Sequence, residues 1–371
     1  MMRIRYKAER KFFSLFFYSR NKYNRLNKEN KISKIKSWGI FKMLLLNKSD
    51  IKKVFTMKDA IEADKKAYQA FSEKDAVVPI RTNLGTIREG ESMLFMPGYV
   101  KSLDCAGIKI VSVFPGNAEK GKPVVPATVI LMDATTGEVI SVMDGTYITR
   151  VRTGAASGAA VDLLARKDAK VGALIGTGGQ APAQLEAMLA ARELEEVRVF
   201  SRNKEKREKF AEDISKELAS YGAKIVAADS SDDAIKDADV IVLATTSEVP
   251  VIDGNLVKEG ALISGVGSYM PNMHEIDEVS IKRASKIFCD SVEAVLEEAG
   301  CIITPLKKGI ISKENDLNKE LGDVVSGKIP GRESDDEIII FKSVGIGVQD
   351  VVTAQMIYDR AIEKNIGTNW E

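Results

Sequence analysis

Ala173-Leu174-Ile175-Gly176-Thr177-Gly178-Gly179-Gln180-Ala181 sets Gly-x-Gly-x-x-Ala between an apolar run and a helical stretch that continues to about Arg192. Strand, glycine turn and helix in that order open a dinucleotide-binding β-α-β unit. Gly176 permits the tight turn, Gly178 lets the backbone approach a pyrophosphate, and Ala181 keeps the helix close to the sheet. The free N–H groups of the helix start then face the phosphates. Val171–Ala191 is therefore read as the start of a Rossmann domain.

Outward from this turn, short apolar runs alternate with helical segments: Val197–Phe200, Lys224–Ala227, Val240–Thr245, Leu262–Val266 and Lys286–Asp290. Continuous apolar strands between helices predict a parallel sheet covered on both faces. Before Lys170 the texture changes. A helix is expected over Asp59–Glu73, and strands over Met93–Met96, Ala106–Val113, Ala127–Asp133 and Val139–Met143. Their Pro and Gly joints suit antiparallel pairing. An Ala-rich helix over Thr153–Arg166 leads into the nucleotide part, and a helix over Val351–Lys364 returns from it.

The 371 residues suggest two domains, and 44% hydrophobic with 29% charged residues is the composition of a soluble globular protein. A net charge of +1 hides an asymmetry. Residues 1–42 hold 13 of the 54 basic and two of the 53 acidic residues, so the remainder is acidic, with 41 against 51. An acidic body disfavours nucleic acid as a ligand. We read 1–42 as a basic extension, disordered or outside the natural chain, with the natural start at Met43. No run reaches the roughly 18 apolar residues of a membrane span. Three cysteines without metal spacing suit a reduced, cytoplasmic protein. A single histidine, His274, removes His-rich metal sites from consideration, and we read it as a surface loop residue. No metal is expected.

The second strand ends Phe200-Ser201-Arg202-Asn203-Lys204, without the acid that commonly binds adenine-ribose hydroxyls. A hydroxyl and two cations there favour NADP(H), with NAD(H) as the alternative. Elsewhere three basic residues stand in apolar or turn-like settings: Arg81 after Val78-Pro79-Ile80, Lys109 inside Ala106–Val111, and Arg152 before Thr153-Gly154-Ala155-Ala156-Ser157. Singly, each fits a structural ion pair or a snorkelling side chain. Together in a dinucleotide enzyme, two arginines can grip a carboxylate while a lysine polarises or protonates an adjacent carbonyl or imine.

Five stretches carry a family resemblance: Gly107–Asn117, Met143–Ser157, Ile175–Gln180, Gly331–Glu337 and Phe341–Asp350. In this order they resemble the ornithine cyclodeaminase/mu-crystallin family over essentially all of 43–371. The resemblance implies an α/β fold in which a Rossmann domain (167–332) is inserted into a discontinuous α+β substrate-binding and dimerisation domain (43–166 and 333–371). It also implies a homodimer. By position it places Arg81, Lys109 and Arg152 at the substrate carboxylate and catalytic site. Gly179 and Gln180 match the pyrophosphate turn, and Ser201 the ribose-reading position. Thr245 and Ser343 match cofactor contacts, and Val344 a substrate contact. Asp350 belongs to the terminal motif, with a helix N-cap as its alternative role.

One departure bears on the reaction. Cyclodeaminases of the family carry a catalytic aspartate where this chain has Ser247, and Glu248 is one residue too late. An unaided serine is a poor base at neutral pH. The expected activity is therefore that of an NAD(P)-dependent oxidoreductase on a small α-imino, α-keto or α-amino acid. Lys109 would be catalytic, and Arg81 and Arg152 would hold the carboxylate. Ornithine cyclisation with recycled NAD and a non-catalytic, cofactor-binding protein are the alternatives.

Overall fold

The computed structural model describes residues 43–370 other than Ile87 and Glu89. The basic extension expected over 1–42 lies outside the described residues. The antiparallel part is built from β1 (Met43–Leu46), β2 (Ala76–Val77), β3 (Thr82–Gly85), β4 (Ser92–Val100), β5 (Cys105–Val113), β6 (Ala127–Asp133) and β7 (Val139–Asp144). They run β1-β7-β6-β5-β4, with β2 and β3 both on β4. All these pairs are antiparallel except β1 with β7. In β5 the residues alternate strictly, with Cys105, Gly107, Lys109 and Val111 on the buried face. A period of two thus turns Lys109 into the interior with its apolar neighbours.

Helix α1 (Met57–Ser72) starts at a capping box in which Thr56 and Asp59 bond each other's N–H groups. It buries Ala60, Ile61, Asp64, Ala67 and Tyr68, a stripe at helical spacing that includes one carboxyl group. Helix α2 (Gly145–Leu164) begins eight residues before the expected Thr153, because Asp144 accepts the Tyr147 N–H and caps the chain as it leaves β7. Arg152 therefore sits inside this helix rather than ahead of it.

The nucleotide part holds β8 (Val171–Ile175), α3 (Ala181–Ala191), β9 (Glu196–Phe200), α4 (Lys204–Glu217), β10 (Lys224–Ala227), β11 (Val240–Leu243), β12 (Leu262–Gly265), β13 (Lys286–Cys289), α5 (Val292–Glu298) and β14 (Ile339–Lys342). The strand order is β10-β9-β8-β11-β12-β14-β13, with every pair parallel. The chain winds outward from β8 and then restarts at β11. This leaves a crevice at the strand ends between them, where dinucleotides bind in such sheets.

Here the expected division needs correction. β14 falls in the stretch 333–371 assigned to the substrate-binding domain, yet it hydrogen-bonds between β12 and β13 in the nucleotide sheet. Its run Ile338-Ile339-Ile340-Phe341 is buried, as a strand covered on both faces must be. The chain leaves the nucleotide sheet only after Lys342. The last long helix, α6 (Gly347–Lys364), then packs on β4 and β5 of the other sheet.

Leu44–Asn369 form one compact unit, so the two sheets belong to lobes with a packed seam. The seam is made by small residues. A Cβ on Gly154 of α2 would lie 2.5 Å from the Ala183 carbonyl of α3, and one on Gly158 would lie 3.2 Å from the Ala187 Cβ, also of α3. The Gln184 amide donates to the Thr153 carbonyl (2.9 Å), and the Ser157 and Ser264 hydroxyls meet at 2.8 Å. Gly154→Val should therefore force these helices apart and lower stability by about 1–3 kcal/mol, read as a reduced urea midpoint. An unchanged midpoint would mean that Gly154 does not set this spacing.

Candidate active site

The glycine turn has the geometry its sequence requires. Gly176 has φ +108°, and a Cβ there would lie 2.5 Å from the Ala244 carbonyl oxygen, so only glycine fits between the ends of β8 and β11. Gly178 and Gly179 face open space. Gln180 precedes α3 without a side-chain cap, and Pro182 sits in the first turn where a missing N–H costs nothing. A free helix start above two side-chain-free residues is a cradle into which a pyrophosphate fits.

The walls of the crevice are fixed by carboxylates that sequence reasoning missed. Glu275 accepts the Thr245 N–H (3.0 Å) and hydroxyl (3.3 Å), and also the N–H groups of Gly267 (2.6 Å) and Ser268 (3.0 Å). It thereby ties the loops after β11 and β12, and burial raises its carboxyl above the usual range. Asp290, at the end of β13, accepts the Ser343 hydroxyl (2.7 Å) and the N–H groups of Val344 (3.0 Å) and Gly345 (2.7 Å). The Ser343 hydroxyl, read from the sequence as a cofactor contact, donates to Asp290. Asp290 carried a signal, since it is an acid at the C-terminal end of an apolar parallel strand.

At the adenine end, the Thr177 hydroxyl donates to Ser201 (3.0 Å), which brings the turn to the end of β9. Arg202 is exposed there. The buried Arg207 guanidinium lies 5.3 Å from the Phe200 ring centroid and donates to the Ser201 carbonyl.

Lys109 and Arg152, 43 positions apart in sequence, converge on Asp350. The Lys109 Nζ lies 2.8 Å from Asp350 Oδ2 and 2.9 Å from Oδ1, and the Arg152 Nε lies 3.1 Å from Oδ1. Lys109 is 1% exposed and Asp350 is fully buried. The alternative N-cap role for Asp350 does not apply: α6 begins at Gly347, so Asp350 falls within its first turn. Glycines bring the helix start onto the sheet, for a Cβ on Gly347 would lie 2.8 Å from the Pro97 carbonyl of β4. Gly345, with φ +81°, leaves room for Arg152, whose guanidinium occupies the space a Cβ would need.

The Lys109 ammonium is pushed down from its ordinary 10.5 to about 7, chiefly by burial and then by the Arg152 charge, with Asp350 opposing both. Gln349 extends the network. Its amide oxygen accepts the Ile346 N–H (3.0 Å), and its nitrogen donates to Asp64 (2.8 Å) and to the Tyr68 hydroxyl (2.9 Å). Burial drives the Asp64 carboxyl well above its usual range. Neither Gln349 nor Asp64 was legible from residue type alone, because each stands on an otherwise apolar helix face.

Arg81 reaches the same region from the loop before β3. Its Nη2 donates to the carbonyls of Val344 (3.0 Å) and Gly345 (2.7 Å) and pairs with Glu298 at 2.8 Å. Val344, expected to touch substrate, is buried and meets Arg81 through its backbone. Ser247 lies apart in the loop after β11, its hydroxyl donating to the Val249 carbonyl (2.7 Å). Glu248 is exposed and accepts from Asn272. His274 is a loop residue, as expected, but its side chain is only 12% exposed, and its backbone N–H donates to the Ser247 carbonyl.

Known proteins resemble this arrangement over nearly the whole chain. The family model for ornithine cyclodeaminase/mu-crystallin proteins matches residues 42–365. A Δ1-pyrroline-2-carboxylate reductase of Bacillus cereus is 38% identical over 329 residues, 89% of this chain and 100% of that protein. The structure of the Thermococcus litoralis Δ1-pyrroline-2-carboxylate reductase with NADH and L-proline superposes with a TM-score of 0.83. It is 39% identical and covers 88% of this chain and 100% of its own. An archaeal alanine dehydrogenase dimer with bound NAD gives a TM-score of 0.81 at 34% identity, covering 89% and 99%.

The two kinds of glycine in the turn should separate on mutation. Gly178→Val adds a side chain that meets no protein atom, so stability should stay within about 0.5 kcal/mol of wild type. Nicotinamide-dinucleotide binding, followed by fluorescence titration, should weaken at least tenfold. Tight binding by that variant would remove Gly178 from the cradle.

Proposed function

As the chain belongs to the ornithine cyclodeaminase/mu-crystallin family, we propose that it reduces a small cyclic ketimine acid of the Δ1-pyrroline-2-carboxylate type. At the coarser level it is a nicotinamide-dependent oxidoreductase of the ketimine reductase or alanine dehydrogenase kind. The cyclic-ketimine assignment rests on the likeness to the two pyrroline-2-carboxylate reductases. It also rests on one observation, a buried lysine whose proton is held at about pH 7 beside two arginines.

When bound, the nicotinamide supplies the hydride. Arg81 and Arg152 hold the carboxylate and so orient the α-carbon, and fixed orientation of this sort supplies much of the rate. The Lys109 ammonium polarises the C=N bond and delivers the proton that the nitrogen gains on reduction. Asp350 is a positioning residue. It holds the Lys109 Nζ from the far side and, as an anion, keeps the proton on it. Ser247, with its hydroxyl engaged to Val249, offers no base for handling ammonia, which weighs against ornithine cyclisation.

We further infer a preference for NADP(H) over NAD(H), because Ser201 and the exposed Arg202 follow β9 in place of an acid. The relatives' complexes hold NADH and NAD, so both cofactors belong in the assay. A homodimer is the proposed assembly, in keeping with the archaeal alanine dehydrogenase described as one. A cytoplasmic setting is proposed, since the three cysteines of the sequence lack metal spacing and are odd in number.

The test is a panel of Δ1-pyrroline-2-carboxylate, Δ1-piperideine-2-carboxylate, pyruvate with ammonia, and ornithine, each with NADPH and NADH. Ketimine turnover with oxidation of the cofactor is the expected result. Ammonia and proline from ornithine without net cofactor change would overturn it. Lys109→Met should lower kcat by about 10²-fold or more while leaving cofactor Kd within about twofold. Near-normal turnover would remove Lys109 from the mechanism.

The pH profile has a definite sign. The acid form of Lys109 is needed for reduction and disappears as pH rises through about 7, so kcat should fall across that range. Asp350→Asn removes the anion that holds the proton, so the fall should begin at lower pH. A profile that stays in place in this variant would show that Asp350 does not act through Lys109.

Arg202→Ala should raise the KM for NADPH several-fold and leave that for NADH within about twofold. Equal changes in both would argue against a 2′-phosphate contact.

A further inference from the structure

Arg81 meets the other lobe through a carboxylate of this chain. Glu298 ends α5, on the nucleotide lobe, and its Oε2 lies 2.8 Å from the Arg81 Nη2. Both side chains line a cleft with Val78, Pro79, Met96 and Ala294. The same Nη2 donates its hydrogen bonds to the Val344 and Gly345 carbonyls, and the Glu298 carboxylate stands beside it as its charge partner. The guanidinium has two forked edges, Nε with Nη2 and Nη1 with Nη2, and both include Nη2. A substrate carboxylate gripped in bidentate fashion must therefore approach Nη2, where the Glu298 anion is already paired.

We propose that Glu298 is a resident carboxylate that competes with the substrate's carboxylate for Arg81, and so sets substrate affinity without taking part in the chemistry. This rests on the reading of Arg81 as a substrate-carboxylate residue. On substrate binding the Arg81–Glu298 pair opens, the Arg81–substrate pair forms, and Glu298 is left half-buried in the cleft without its counter-charge. A carboxylate so placed takes up a proton from water.

The surroundings favour that uptake. The Glu298 carboxyl is pushed up to about 7, chiefly by burial, with Asp290 at the end of β13 and Glu297 on its own helix adding to the rise and Arg81 opposing it. Glu293 lines the cleft from the same helix, and Tyr269 faces Arg81 from the loop after β12. The competing form is the anion. As pH falls through about 7 the competitor is neutralised and substrate binds more tightly.

The test uses the full-length protein loaded with NADH and pyrrole-2-carboxylate, an unreactive planar acid, in calorimetry from about pH 6 to 8. In Glu298→Gln the Kd should fall about three- to tenfold at the upper end of that range, and KM for the ketimine should fall by the same factor with kcat within about twofold. Wild type should take up more protons on binding than the variant, judged from buffers of different ionisation enthalpy. Its Kd should also rise more steeply with pH. Because Lys109 titrates in the same range, the difference between wild type and variant is the quantity to read. Glu298→Ala should repeat the effect if the glutamine keeps a hydrogen bond to Arg81.

A Kd that is unchanged or raised in both variants, with wild-type proton uptake, overturns the competition and makes Glu298 a mere support for Arg81. If neither wild type nor either variant binds the acid, the carboxylate-site reading of Arg81 fails and this inference falls with it. Binding restored only in the variants would establish the competitor at full strength.

Discussion

The carboxylate of Asp350, buried between the Lys109 ammonium and the Arg152 guanidinium, is the contact on which the site depends. Two cations cannot share an interior without an anion, and removing one partner of a buried pair leaves a charge that costs about 3–5 kcal/mol. The anion must therefore arrive on a separate element and be held there. Helix α6 brings it, and the close approach of Gly347 to β4 sets the distance. Gln349, one residue earlier, locks that helix start to Asp64 and Tyr68 of α1. The lysine at the centre is thereby fixed in place, while burial weakens its hold on its proton and Asp350 strengthens it.

The nucleotide lobe is organised by the opposite means, by leaving groups free. Gly176 is squeezed against Ala244, whereas Gly178, Gly179 and the start of α3 are open. Fixed carboxylates stand behind this opening. Glu275 binds the loops after β11 and β12, and Asp290 binds the chain as it leaves β14. Both satisfy backbone N–H groups that would otherwise be orphaned at the mouth of a parallel sheet. The segment Val344–Gly345 then lies between two partners, with N–H groups on Asp290 and carbonyls on Arg81. Nucleotide and substrate sides are linked through that dipeptide.

Much of this was legible before any coordinates. The strand runs of both sheets fell within a few residues of their positions, because alternation and apolar continuity are local. Lys109, Arg81 and Arg152 stood out because cations in apolar or turn-like settings need partners. Less visible were those partners. Asp350 looked equally suited to capping a helix, and nothing in the spacing of Glu298 or Asp290 pointed to a partner. A carboxylate declares its role only through what faces it, and here the facing residue lies far away along the chain. The helix over Gly145–Leu164 was cut short in the reading for a related reason, since its cap, Asp144, also ends a strand.

By itself the sequence determined the dinucleotide turn, the two sheet types and the set of basic residues. Each is written in contiguous spacing, and the physics of a tight turn or a pleated strand acts over a few residues. Only the tertiary structure decided that β14 belongs to the nucleotide sheet, that Lys109 is paired with a residue 241 positions away, and that its proton is held at about pH 7. Those outcomes follow from burial and from charge pairing across the seam. Neither exists until α6 lies on β5 and the chain has closed around them.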